Sequence, residues 1–387
     1  MMSRATLKLV LFVSVAHALV HMFELSLPSV ELEIDAEFHC GTKTTGWLGT
    51  CWRLPWGAGA ILAGWLVDRY GSRIMLAIYL LGCAVMCAAV ALTTQLSGLF
   101  LPMIGMGTFA AIYHPAGLAL ISHATTQENR PFALGIHGIF GSLGIGGAPF
   151  IAGLVLVNGM DWRSFYWLLV LPAAILGTIF FKTRATGRGG QTQHHDTLAQ
   201  DDVDWTSFGT LILVGICSGI TYSAFLHFLP RYLSGSLLEF SARQTGQDQF
   251  LAGGLLTLGC FGQYLAGTLA RHKLLEWQLT TVLLLNVPCL VAMGFASGWT
   301  RVVAAGAFTV VHFMYQPIYN SLVAKYTPLS RRSLCYGFSF LMGLGLGGFG
   351  PMLVGYSPND LVTYVGLSGA ALAGALTCLL LVVRNKT

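Results

Sequence analysis

Three ionisable residues punctuate the first long apolar stretch of the chain: His17, His21 and Glu24. At i, i+4 and i+7 they project from one face of a helix. A carboxylate can carry a proton and a histidine titrates near neutrality, so the trio suits a proton relay. The bland alternative is two structural histidines with Glu24 solvated near an interface. Glu24 reads as the one acid well inside an apolar stretch and as the only buried carboxylate of the N-terminal half. Arg53, in the second stretch, keeps its charge at every relevant pH. It lies at a similar depth if the two stretches run antiparallel, and it either pairs with Glu24 or binds an anionic part of a ligand.

Further polar residues interrupt later stretches. His114 and His137 lie in the fourth and fifth, where they suit hydrogen bonding into a cavity or to a gate. Two histidines fall short of the three or four ligands most metal sites use, so no metal is expected. In the tenth stretch His312, Gln316, Tyr319 and Asn320 form one helical stripe around Pro317, which loosens the local backbone, and Tyr315 lies beside them. Tyr222 and His227 occupy the seventh. Together with Arg53 these are the candidate cavity-lining residues; ordinary packing is the alternative for each aromatic.

The elements that carry these residues follow from composition. Of 387 residues, 55% are apolar, 10% are charged and 47 are glycine. Soluble domains hold about 25% charged residues, so a soluble globular protein, a disordered chain and a nucleic-acid binder are excluded. A polytopic membrane protein, whose solvent is the lipid bilayer, is what remains. Spans of about 20 apolar residues are expected at 7–28, 46–66, 74–94, 98–122, 132–157, 163–181, 206–230, 246–270, 277–297, 301–325, 333–356 and 361–383. The first is read as an uncleaved span rather than a signal peptide, because His17, His21 and Glu24 interrupt it and no small-residue cleavage pattern follows. Of the 21 lysines and arginines, Arg53 lies inside a span, fifteen fall on the side of the termini, and Lys43, Arg163, Arg231, Arg243 and Arg301 fall opposite. The positive-inside rule then puts both termini in the cytoplasm. Nine cysteines lie mostly in apolar runs without metal or redox spacing, so disulfides are not expected.

A repeat runs through the chain at an offset of 202 residues. It aligns Pro28 with Pro230, Pro115 with Pro317, Arg130 with Arg332, Gly135 with Gly337, Gly141 with Gly343, Pro149 with Pro351 and Gly153 with Gly355. Six spans per repeat is an even number, so the halves share one orientation. The expected organisation is an N-terminal six-helix bundle (1–181), a cytoplasmic linker (182–205) and a C-terminal six-helix bundle (206–387), all α.

Between spans 2 and 3 the chain reads GWLVDRYGSR. Gly64, Leu66, Asp68, Arg69, Gly71 and Arg73 match a loop signature of the major facilitator superfamily, which the whole chain resembles; Ser72 replaces one basic residue. The resemblance implies a conformational latch at Gly64, Asp68, Arg69, Gly71 and Arg73, with Asp68 accepting from a helix end or an arginine. The repeat copy at 266–273 has Arg271 in place of the acid, so only the first latch is expected to be strong. In span 5, GIGGAPFIAG resembles the family's antiporter motif through Gly144, Pro149 and Gly153, with Ala148 and Ala152 departing from it; close helix packing is the alternative reading. YHPAGLALIS at 113–122 resembles the fosmidomycin-resistance branch of drug exporters.

The resemblance implies a monomeric secondary transporter in the inner cell membrane, two bundles rocking about a central cavity, with protons driving export of a small-molecule substrate. Glu24, His21 and His17 would couple the proton. A proton-coupled importer of an anionic metabolite or metal chelate is the first rival, and a channel or receptor on the same scaffold the second. No phosphate-binding loop, nucleophile elbow or large polar domain points to an enzyme or an ATP-driven pump, and no cofactor is expected.

Overall fold

A computed structural model describes residues 2–126, 128–182, 203–237, 246–328 and 331–384. Residues 183–202 of the expected linker lie outside them. Every regular element among the described residues is helical. The N-terminal half holds α1 (Arg4–Glu24), α2 (Glu31–Phe38), α3 (Gly41–Tyr70), α4 (Ser72–Leu92), α5 (Phe100–Ala110), α6 (Tyr113–Ala124), α7 (Arg130–Val157) and α8 (Arg163–Lys182). The C-terminal half holds α9 (Trp205–Leu237), α10 (Gln247–Leu269), α11 (Leu275–Phe295), α12 (Trp299–Phe313), α13 (Tyr315–Tyr326), α14 (Arg332–Phe340), α15 (Gly350–Gly355) and α16 (Asp360–Arg384).

Eleven stretches are long and apolar enough to cross a bilayer; α5 joins α6, α12 joins α13, and α14 joins α15 within single stretches. The twelfth is α3, at 30 residues the length of a full span. Arg53 and four tryptophans dilute its apolar character. The result is an all-α assembly of twelve spans in two six-span bundles in parallel pseudo-repeat. Leu101, Phe181 and Val303 are more than 70% exposed on its flanks, an apolar belt suited to lipid rather than water.

Proline explains two of the breaks. Pro115 and Pro317 lack the N–H of a helical ladder, and each ring crowds the carbonyl four residues back. Accordingly α5 ends at Ala110 and α12 at Phe313. The stripe around Pro317 spans such a break: His312 lies before Met314, and Gln316, Tyr319 and Asn320 lie after it. Beyond each break the repeated arginine does the same work. Arg130 donates to the carbonyls of Ser122 (3.1 Å) and Thr125 (3.4 Å), capping α6. Arg332 donates to those of Ala324 (2.8 Å) and Thr327 (3.1 Å), capping α13. All four carbonyls obey the 202-residue offset.

The halves meet where glycines let backbones touch. A Cβ on Gly57 of α3 would overlap the backbone of Gly345, and one on Gly253 of α10 would lie 2.8 Å from the Gly146 carbonyl oxygen of α7. On the side away from the termini, polar contacts close this seam. Thr42 and Thr50 donate to the carbonyls of Gly355 and Gly348 at 3.0 and 2.9 Å. Arg231 of α9 pairs with Glu31 (2.8 Å) and Asp35 (2.6 Å) of α2. Glu31 is 1% exposed, so Glu24 is not the only buried carboxylate of the first half. The sequence places Glu31 in a polar segment between spans, and α2's seat against α9 and α3 buries it. Burial pushes its carboxyl up from the ordinary value, against the pull of Arg231. On the terminus side, a Cβ on Gly64, Gly135 or Gly138 would meet nothing within 4 Å.

Candidate functional site

Between the halves lies a cavity of about 280 Å³. His17, His21 and His114 line it from the first half, and Tyr222, His312, Tyr315, Gln316, Tyr319 and Asn320 from the second. Glu24, Arg53 and His137 are absent from the lining and stand behind it as partners of lining residues. His227, 1% exposed, sits apart at the inter-half seam, against Gly49.

The hydrogen bonds on α1 fix the imidazoles. His17 Nδ1 lies 2.7 Å from the His137 carbonyl oxygen, which can only accept, so Nδ1 carries the proton. His21 Nδ1 lies 2.7 Å from Glu24 Oε2, and Arg53 Nη1 donates to Glu24 Oε1 at 2.8 Å. One carboxylate thus serves a histidine with one oxygen and an arginine with the other. Glu24 and Arg53 are each 2% exposed. The spacing that sets His21 and Glu24 on one face works because Glu24 is the last residue of α1, one turn from the ring it meets. Tyr113 donates to the Val13 carbonyl (2.9 Å), which leaves its oxygen to accept from His137 Nε2 at 2.8 Å.

Ring contacts assemble the rest. His17 stacks on His137 at 3.8 Å between centroids and lies 4.9 Å from His21 and 5.5 Å from His114. His114 stacks on Phe340 of the second half at 5.6 Å. Across the cavity Arg53 lies 5.8 Å from the ring of Tyr222, which stacks on His312 at 5.9 Å; Asn286 Nδ2 holds His312 Nδ1 at 3.2 Å. Tyr319 and Tyr315 stack at 5.0 Å.

Sequence reasoning missed several lining residues, among them Trp56, Ser142, Gln263 and Tyr336. Trp56 was within reach, since it follows Arg53 by three residues on one helix face. Ser142 and Gln263 give no such signal, because nothing local shows that α7 and α10 face each other.

The other two groups lie away from the cavity. Asp68 is exposed, and no hydrogen bond or ion pair among the described residues involves it. Arg69 rests over the rings of Trp65 and Tyr70 at 5.5 and 5.7 Å. Gly71, at φ +87°, makes the turn from α3 into α4, where a side chain would be strained; Gly64 and Arg73 flank it on those helices. In α7, Gly144 packs on the Ala18 backbone of α1 and Gly153 on Gly246 and Phe250 beside α10, with Pro149 between them inside the helix.

A family model described as the Major Facilitator Superfamily matches residues 12–351. A puromycin resistance protein of Streptomyces alboniger is 27% identical over 295 residues, 70% of this chain and 56% of that protein. The nitrate/nitrite transporter NrtP of Nostoc punctiforme is 27% identical over 164 residues, 40% of this chain and 33% of that one. The chain thus spans about half or less of these relatives' length. Among solved structures, a bacterial homologue of the human lysosomal transporter Spinster superposes with a TM-score of 0.78 at 15% identity, covering 98% of this chain and 96% of that one. At that identity the likeness speaks for the fold alone.

Proposed function

The chain belongs to the major facilitator superfamily, and we propose that it works as a proton-coupled exporter of a small organic solute. Its two bundles, divided near residues 182–205, would rock about the central cavity. The observation that carries this reading is the shared carboxylate: Glu24, buried, bridges His21 and Arg53 at the wall of a cavity lined by both halves. A proton arriving at this cluster changes which partner Glu24 holds. With Glu24 ionised, its partner Arg53 stands 5.8 Å from the Tyr222 ring, and the pair offers the solute a polar contact. Protonating Glu24 breaks the pair and releases the solute, so proton and solute alternate at one cluster as exchange in opposite directions requires. Solute binding and proton binding are then linked through one arginine. His17 and His114 border the cluster on the cavity side, and His137 stacks behind His17, which sets them beside the proposed proton path.

The basic side chains favour cytoplasmic termini. In that orientation the seam would close the far side, and the arrangement would face inward. Export is the direction in which a carrier confers resistance of the kind the puromycin resistance protein is named for. The test is transport in proteoliposomes under an imposed pH gradient, with puromycin and nitrate as the first probes. Glu24→Gln should abolish uphill accumulation while sparing exchange of the same solute down its own gradient. Undiminished uphill transport by that variant would overturn the reading.

A further inference from the structure

His17, His21 and His114 form a cluster whose geometry goes beyond hydrogen bonding. One ring nitrogen from each lies within 4.8 Å of those of the other two. His17 and His21 both spend their Nδ1 protons, one on a backbone carbonyl and one on a carboxylate. In the neutral rings the Nε2 atoms then hold bare lone pairs, and no hydrogen bond among the described residues engages them. His114 makes ring contacts to Trp56 and Phe340 but no described hydrogen bond. Each of the three rings therefore keeps a nitrogen that no described hydrogen bond engages, and the three stand together on one wall of the cavity. Two of them are oriented as metal-bound histidines are, the second ring nitrogen donating to a carbonyl or carboxylate.

We propose that this trio binds a divalent transition-metal ion of borderline softness, such as zinc, as part of the solute that the cavity carries. Imidazole is the ligand such ions accept readily, whereas magnesium and calcium take oxygen. Zinc–nitrogen bonds of about 2.0–2.1 Å put tetrahedral ligands about 3.3 Å apart. The clustered ring nitrogens lie within 4.8 Å of one another, so binding would draw them about 1.5 Å closer. Three protein ligands leave a fourth position facing the cavity, where a water or an oxygen of an organic chelator fits. Arg53 is neutralised by Glu24, so the ion meets no net opposing charge from that pair. Glu24 serves here as a positioning residue that acts through His21.

The inference rests on the reading of this cavity as the transport site, yet binding can be measured without transport. Full-length protein purified in detergent would be titrated with zinc, and separately with cobalt to read its visible absorption. The expected result is one ion per chain, with a cobalt spectrum of tetrahedral nitrogen ligation. His114→Ala should weaken zinc at least tenfold, and Glu24→Gln about 10–100-fold through the loss of the carboxylate that orients His21. The double variant His39→Ala/His123→Ala, which removes exposed histidines far from the cluster, should bind as the parent does. Zinc supplied alone and zinc supplied with one equivalent of citrate separate the sources: citrate retained with the ion marks a chelate, and zinc without citrate marks the free ion. Absence of stoichiometric binding, or binding untouched by His114→Ala, would overturn the inference. Should His114→Ala fail to fold, X-ray absorption on the zinc-loaded parent decides, three imidazole nitrogens supporting the site and an oxygen-only shell refuting it. Proton coupling lost in Glu24→Gln alongside a parent that binds no metal would sink this inference while leaving the transport reading intact.

Discussion

Glu24 and Arg53 stabilise the protein only as a pair. Each is buried and each has lost its water, so removing one strands the other in a medium of low dielectric constant. Breaking a buried ion pair from one side costs about 3–5 kcal/mol, whereas replacing both partners with neutral groups is far milder. Arg53→Gln should therefore lower thermal stability in detergent markedly, and Glu24→Gln/Arg53→Gln should recover much of the loss. A double variant no more stable than Arg53→Gln would show that the pair is not the unit. The cluster was partly legible because His17, His21 and Glu24 share one helix, where a period of 3.6 residues fixes their common face. The approach of Arg53 followed from antiparallel neighbours at equal depth. The meeting of His114 and His137 with His17 was not legible. It depends on how α6 and α7 are rotated against α1, and no single helix writes that rotation in its own sequence.

Elements were legible in proportion to the strength of their local signals. Pro115 and Pro317 sit at two breaks, and the loosening at Pro317 was legible, yet Pro149 and Pro230 lie inside unbroken helices, so a proline alone does not announce a break. Nothing comparable announces that Leu341–Leu346 winds as a π turn between α14 and α15. There the glycines let the stretch yield where α3 and α9 crowd it, which is a tertiary effect. The latch belongs to this scale too. Asp68 at the end of α3 is exposed in the present arrangement, with no described partner, as an element would be whose contact forms only in the opposite state. Asp68→Asn should thus shift the balance toward the present arrangement and slow the cycle without unfolding the protein. A cysteine placed at Gly138, on the cavity wall, reports the shift: its labelling from the terminus side should rise in the Asp68→Asn background. Unchanged labelling and unchanged transport rates would remove Asp68 from the latch.

For the whole molecule, the repeat was the most informative sequence feature, and it reaches down to single hydrogen bonds, as Arg130 and Arg332 show. The asymmetry between halves was less visible: α2 has no described counterpart in the second half, and it carries Glu31 and Asp35 onto Arg231. This seam gives the cycle a second dependence on pH, separate from the cavity. Burial raises the Glu31 carboxyl above its ordinary value while the seam is shut, with Arg231, Thr45 and Asp35 the polar groups that face it. Opening the seam would return the carboxyl to water and to its ordinary value. The closed state therefore binds the proton more tightly, so closure is favoured as pH falls below the ordinary carboxylate range. That preference is lost as pH rises through the raised value. Spin labels placed across the seam at Thr42 and Tyr356 should show the short-distance population growing on acidification, and Glu31→Gln should flatten the response. A population that shrinks on acidification, or a response that persists in Glu31→Gln, would assign the pH dependence of closure to other groups.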